Sequence, residues 1–308
     1  MAMRLGFGDL MSAGARGVSR YTGTLFAVFV AQSLLAAAFM AGVAIILTQA
    51  FSHLPMFDDA VDGDLVSILW CLRYAQPSFV AIGGLLFATM LLWQLFSWFL
   101  TGGLYGVFNE RPESRDDTAR VFGASGAATF LAYARLAIVA LPGWAVVFIV
   151  FATTLDAAAS QIEYALSIGD LIGPLALVIV PTGLLAHFFA TVTDYARVEL
   201  TLRHTSHRPS ALLTYFRSVA FVAKRPLTLV HGALGWLLFL VVTLAYALLA
   251  QGHPMYGAEG AITLFFVRQG VSLLRMAIRV GILAGQVELG RTRPLPPRRP
   301  ETAKSATG

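Results

Sequence analysis

Six stretches of the chain are each long and apolar enough to cross a bilayer, and the connections between them alternate between basic and acidic. No other feature restricts the fold so strongly. A helical span needs about 20 apolar residues, because without water every backbone donor and acceptor must be satisfied within the segment. The stretches are 21–50, 78–100, 130–155, 171–195, 227–250 and 261–290. The first exceeds the apolar part of a cleavable signal peptide, which runs to about 7–15 residues. Charged residues are only 13% of the chain and hydrophobic ones 57%. A soluble domain carries about 25% charge, so this surface has to be covered by lipid.

The cations then orient the spans. Arg4, Arg16 and Arg20 precede the first, and Arg111, Arg115 and Arg120 follow the second. Arg197, Arg203, Arg208, Arg217, Lys224 and Arg225 follow the fourth, and Arg291, Arg293, Arg298, Arg299 and Lys304 follow the sixth. The opposite connections hold a single cation, Arg73, among acids that include Asp58, Asp59, Asp62, Asp64, Asp156, Glu163, Asp170 and Glu259. Lysine and arginine favour the cytoplasmic side, so both termini are expected inside. The expectation is an all-α polytopic transmembrane bundle of six spans: a cytoplasmic segment 1–20, a membrane domain 21–290 and a basic, proline-rich disordered tail 291–308. The net charge of +5 follows topology and needs no nucleic-acid partner.

The cytoplasmic connections carry helical signals of their own. Leu212, Leu213, Phe216, Val219, Ala220 and Ala223 recur at helical spacing, with Arg217, Ser218 and Lys224 mostly off that stripe. Pro209 suits a helix start and Pro226 a stop. This is either an interfacial helix with its cations among lipid phosphates or an amphipathic connector packed on the bundle. A similar element is expected from Ser114, with Asp117 completing a near capping box, and a third over 3–18. Together these suggest a unit of interfacial helix, span, short acidic connection and span, repeated three times.

Within the spans, Arg268, Arg275 and Arg279 are the most informative residues. At about 100° per residue Arg275 and Arg279 fall within roughly 20° of Arg268, on one face, over about 16 Å of depth. Arginine near the bilayer centre costs about 2.5–3.5 kcal/mol on insertion scales, so such residues face a bundle interior or a wet cavity. One reading is a basic face for an anion, a lipid phosphate or another acidic amphiphile. The other is structural, with Arg275 and Arg279 bonded to carbonyls freed by Pro142, Pro174 or Pro181, and Arg268 and Arg279 snorkelling. Arg135 and Asp194 are expected to form a structural ion pair, and His187 to be a satisfied interhelical histidine.

Catalytic signatures are weak. Gly123-Ala124-Ser125-Gly126 matches the G-x-S-G element of rhomboid-like intramembrane serine proteases, with His231 as the partner base. In that family the serine opens a helix entered from the external side, whereas Ser125 precedes a span that starts inside. No nucleotide loop, zinc-protease motif or paired acidic motif of headgroup transferases is present, and no acid lies at mid-depth to couple ion flux. The single cysteine, Cys71, supports neither a disulfide nor a cysteine zinc site. No metal or cofactor is expected.

The string Phe99-Leu100-Thr101-Gly102-Gly103-Leu104-Tyr105 is followed by a basic connection and residues 130–135. Asp194-Tyr195-Ala196-Arg197-Val198, Lys224-Arg225-Pro226-Leu227 and the arginine-bearing segment 268–289 lie downstream. With these motifs the chain resembles a bacterial family of uncharacterised six-span proteins, akin to the membrane domain attached to some glycerophosphodiester phosphodiesterases. The resemblance spans most of residues 20–290. It implies a helical bundle in a bacterial inner membrane, without the phosphodiesterases' soluble catalytic domain. The expected function is non-enzymatic interaction with anionic membrane lipids or a membrane protein partner. The alternatives are a transporter or flippase component for an anionic amphiphile, and the serine protease.

Overall fold

The computed structural model describes residues 6–51, 59, 64–74, 76–164, 167–203, 210–251 and 258–292. Among them the elements are α1 (Phe7–Arg20), α2 (Thr22–Phe51), α3 (Leu65–Tyr74), α4 (Gln76–Glu110) and α5 (Arg115–Glu163). They continue as α6 (Ile168–Leu202), α7 (Ala211–Lys224), α8 (Pro226–Gln251) and α9 (Ala258–Arg291). The chain is an all-α multi-pass membrane protein: α2, α4, α5, α6, α8 and α9 are the six helices long and apolar enough to cross a bilayer. Of the expected disordered tail 291–308, Arg291 belongs instead to the last turn of α9, and the residues from 293 on, like Pro209, lie outside the described residues.

Several helices overrun the expected spans at the end of the bundle where the basic connections lie. α4 continues ten residues past position 100, and α6 seven past position 195. α5 starts at Arg115 instead of 130. Its cap is the one legible in the sequence: the Asp117 amide donates to Ser114 Oγ at 3.0 Å, and Ser114 Oγ donates to Asp117 Oδ2 at 2.8 Å. No separate interfacial helix forms there, because nothing between 115 and 130 breaks the helix. At 1.5 Å per residue the 49 residues of α5 measure about 74 Å, well beyond a hydrocarbon core of about 30 Å. α3 was not foreseen. At 10 residues it is too short to span, and Asp64 Oδ2 caps it by accepting from the Ser67 amide at 2.9 Å and hydroxyl at 2.6 Å.

The spans form two shells. The second helix of each hairpin, α4, α6 and α9, touches the other two and forms the inner shell. The first helices lie outside: α2 packs against α4 and α9, α5 against α4 and α6, and α8 against α6 and α9. The amphipathic segments repeat the pattern. α1 packs on α9, the first turns of α5 pack on α4, and α7 packs on α6. Each therefore lies on the inner helix of the preceding hairpin, and α1 closes the ring on the last. This threefold recurrence of contacts is what the expected repeat requires.

Small residues make these crossings possible. A Cβ on Gly14 of α1 would come within 2.7 Å of the Gly281 carbonyl oxygen on α9. One on Gly106 of α4 would meet Ser125 Oγ of α5 at 2.1 Å. Backbones approach this closely only where a side chain is missing, as in membrane helix packing generally. α7 turns out differently from a simple apolar-side-in connector. It buries Thr214, Tyr215, Ser218, Phe221 and Val222 against the bundle. Its apolar stripe, with Leu212, Leu213 and Phe216, is exposed.

Candidate functional site

The three inner helices meet in a polar cluster near the basic end. Tyr105 of α4 donates from its hydroxyl to Gln286 Oε1 of α9 at 2.9 Å, and both side chains are buried. Gln286 Nε2 donates in turn to Asp194 Oδ2 of α6 at 3.4 Å. Asp194 is ion-paired with Arg197, one turn along α6, at 3.3 Å. Beside it the Tyr133 hydroxyl of α5 bonds Thr201 Oγ1 at 2.6 Å. Apolar side chains, Leu104, Val192, Tyr195, Leu283 and Val287 among them, surround the cluster. Buried polar groups in such a setting hold the helices in register, since each would be costly left alone.

The expected Arg135–Asp194 pair does not form. Thr129, Tyr133, Leu136 and Ala140 mark the inward face of α5 at helical spacing. Arg135 is about 200° from Tyr133 on the wheel, so it points outward and is exposed. Asp194 takes Arg197 and Gln286 instead. Sequence reasoning missed Tyr105, Gln286 and Arg197 as a set. One signal was present: Gln286 lies seven residues beyond Arg279 and eighteen beyond Arg268, on the same helical face.

The arginine stripe thus runs along α9 on the flank that ends in this cluster, and its members have different surroundings. Arg275 is half-buried; its guanidinium bonds the Thr243 hydroxyl of α8 and stacks over Phe239, 4.0 Å from the ring centroid. Its Nε is buried with no hydrogen-bond partner. Arg279 and Arg268 are exposed. None of the three forms an ion pair among the described residues; the acids are used elsewhere, in Arg197–Asp194, Arg203–Glu199, Arg120–Asp117 and Arg111–Glu288–Arg291. The structural alternative is corrected in its particulars: Arg275 is held by a hydroxyl and a ring of α8, not by proline-freed carbonyls.

His187 is part of the neighbouring seam. Its Nε2 is 3.0 Å from the Leu229 carbonyl oxygen of α8, an interhelical bond as expected. The Ser125–His231 dyad is not assembled. Ser125 is wedged against Gly106 between α4 and α5, whereas His231 of α8 is buried against Gly285 of α9 beside Leu10 of α1. The two share no hydrogen bond, and the protease geometry is absent.

Compared with known proteins, the chain matches no family model, no curated protein and no solved structure.

Proposed function

We propose that this is a non-enzymatic membrane protein that holds the anionic headgroup of a lipid or another acidic amphiphile against the Arg275/Arg279 face of α9. The observation that carries the reading is charge without a counter-charge. Three guanidinium groups share one face of a spanning helix, no carboxylate reaches them among the described residues, and Arg275 Nε has no acceptor. An unpaired arginine at membrane depth is costly. A phosphate or carboxylate would accept charge-assisted hydrogen bonds worth about 1.5–3 kcal/mol each.

The setting is a bacterial inner membrane with both termini in the cytoplasm, a reading supported by the cation distribution and by the family resemblance. The exposed apolar stripe of α7, flanked by Lys224, supports its lying in the inner interface. One observation favours transport as a second reading. The inner helices are sealed together at the basic end and largely exposed toward the other, the asymmetry expected of a carrier open to one side. The sealed end argues against a standing pore.

Native mass spectrometry of the purified protein tests the main reading. Wild type is expected to retain an anionic phospholipid that Arg275→Ala/Arg279→Ala loses. Equal lipid in both, with a lower melting temperature in the variant, would make the arginines structural.

A further inference from the structure

A pocket bordered by arginines lies where α1 crosses the ends of α4 and α9. The close approaches of Gly14 to Gly281 and Gly17 to Ala284 press α1 onto α9. Arg16 and Arg20, one turn apart, then border a pocket of about 340 Å³ together with Tyr21, Arg111 and Glu288. Arg111 has a left-handed backbone, φ 56°, unusual for a residue with a side chain. It ion-pairs with Glu288 at 2.7 Å. Glu288 is the one carboxylate bordering this pocket, and Arg291 shares it at 3.3 Å. The Arg20 guanidinium reaches the carbonyl oxygens of Arg111 and Pro112, at 3.4 and 3.3 Å, and lies over the Tyr21 ring, 5.6 Å from its centroid; the Arg16 guanidinium has no hydrogen-bond or ion-pair partner among the described residues. The pocket therefore carries an excess of guanidinium groups in the fork geometry that suits a phosphate.

A second, larger cavity says what kind of phosphate. It measures about 860 Å³ and shares Ser19, Arg20 and Tyr21 with the first. From there it runs between α2, α4 and the first turns of α5: Glu113, Ser114, Arg115 and Thr118 line its basic end, and Ala27, Ala31, Phe96 and Phe99 give the remainder an apolar lining. A charged pocket opening onto an apolar groove has the shape of an amphiphile, and inorganic phosphate has no use for the groove.

We propose that an anionic phospholipid binds here, its phosphodiester between Arg16, Arg20 and Arg111 and an acyl chain along the α2–α4 groove. This site is separate from the α9 stripe and stands without it. The test is a titration in neutral detergent with phosphatidylglycerol carrying a fluorophore on its acyl chain. It is run in the Arg275→Ala/Arg279→Ala background, so that the stripe contributes nothing. Arg16→Glu is expected to weaken binding about tenfold, the equivalent of one lost charge-assisted hydrogen bond. Arg16→Lys should recover part of it. Ala27→Trp, which fills the groove from an exposed position, should weaken binding with Arg16 intact. Millimolar inorganic phosphate should leave binding unchanged. Wild-type affinity in Arg16→Glu would overturn the proposal, and so would displacement of the lipid by inorganic phosphate. Loss of all binding in the starting background would overturn it too, by assigning the lipid to the stripe.

Discussion

On α4, every residue from 100 to 108 is buried, and none of the described side chains from 80 to 99 is. α9 divides in the same way, with residues 283–287 buried and 265–268 exposed. Both halves of each helix are apolar, so hydrophobicity does not distinguish them. Lipid tails solvate leucine as well as another helix does; what draws helices together in a membrane is close van der Waals fit and interhelical hydrogen bonds. The basic half has both: Gly102, Gly103 and Gly106 of α4 receive Thr129, Phe122 and Ser125 of α5, and Tyr105, Gln286 and Asp194 bond across three helices. In the other half Gly83, Gly84 and Gly270 have nothing within 4 Å of where a Cβ would stand. Packing there is confined to smaller patches among the described residues: the α5–α6 hairpin, through residues such as Val147, Ala158 and Val178, the approach of Leu85 of α4 to Gly42 of α2, and the buried Ser67 and Cys71 of α3. Among the described residues the molecule has a closely packed, cross-linked base and a more open opposite half, and the arginine stripe of α9 runs from one into the other.

The comparison is broken most directly by exchanging glycines for bulk. Gly106→Leu places atoms where Ser125 stands, and the backbone of α5 has to move. Overpacking of this kind costs about 1–3 kcal/mol or more, so a large fall in melting temperature in detergent is expected. Gly84→Leu, on the same helix in the more open half, should change it little. Equal effects would mean that the more open half is packed too.

A smaller effect is expected from the polar cluster. Gln286→Leu strands the buried Tyr105 hydroxyl and should destabilise by about 1–3 kcal/mol; Tyr105→Phe removes one hydrogen bond, at about 0.5–1.5 kcal/mol. The double variant should cost less than the sum, since the hydroxyl no longer needs a partner. Additivity in thermal or denaturant unfolding would show that the two side chains do not act as a pair.

The smallest effect belongs to α3. Hydrogen bonds from the Ser67 hydroxyl and amide hold the Asp64 carboxyl below its usual value of 3.8. A depressed carboxylate contributes stability that is complete above the unfolded value and is lost as pH falls through the lower folded one. Hydrogen exchange of α3 amides, corrected for intrinsic rates, should show more frequent opening at pH 3 than at pH 6. Asp64→Asn should remove most of that difference.

The parts legible in the sequence are those where physics acts along one helix. Six apolar runs, the Ser114 cap and the break before Pro226 follow from local composition, and the common face of Arg268, Arg275 and Arg279 follows from helical geometry. The shells were not legible. α2, α4 and α8 are apolar all round, and such a helix does not say which side meets a neighbour. The same blindness put Arg135 opposite Asp194, when the rotation of α5 turns it outward, and left Gln286 unnoticed although it continues the arginine face. α1 and α7 are legible because they are amphipathic, but the pattern leaves open which face of α7 packs: polar Thr214 and Ser218 are buried and Leu212 and Phe216 are not.

The claim that the stripe binds an anionic amphiphile is tested most directly by lipid-dependent thermal stability. The delipidated protein would be melted in neutral detergent with phosphatidylglycerol or with phosphatidylcholine. A ligand at about 100 times its Kd stabilises the folded state by about 2.7 kcal/mol. Wild type and the surface control Arg120→Ala should gain more from phosphatidylglycerol than from phosphatidylcholine. Arg275→Ala/Arg279→Ala should lose most of that difference and keep only what the α1 pocket supplies. A double variant that gains as much as wild type would contradict the account.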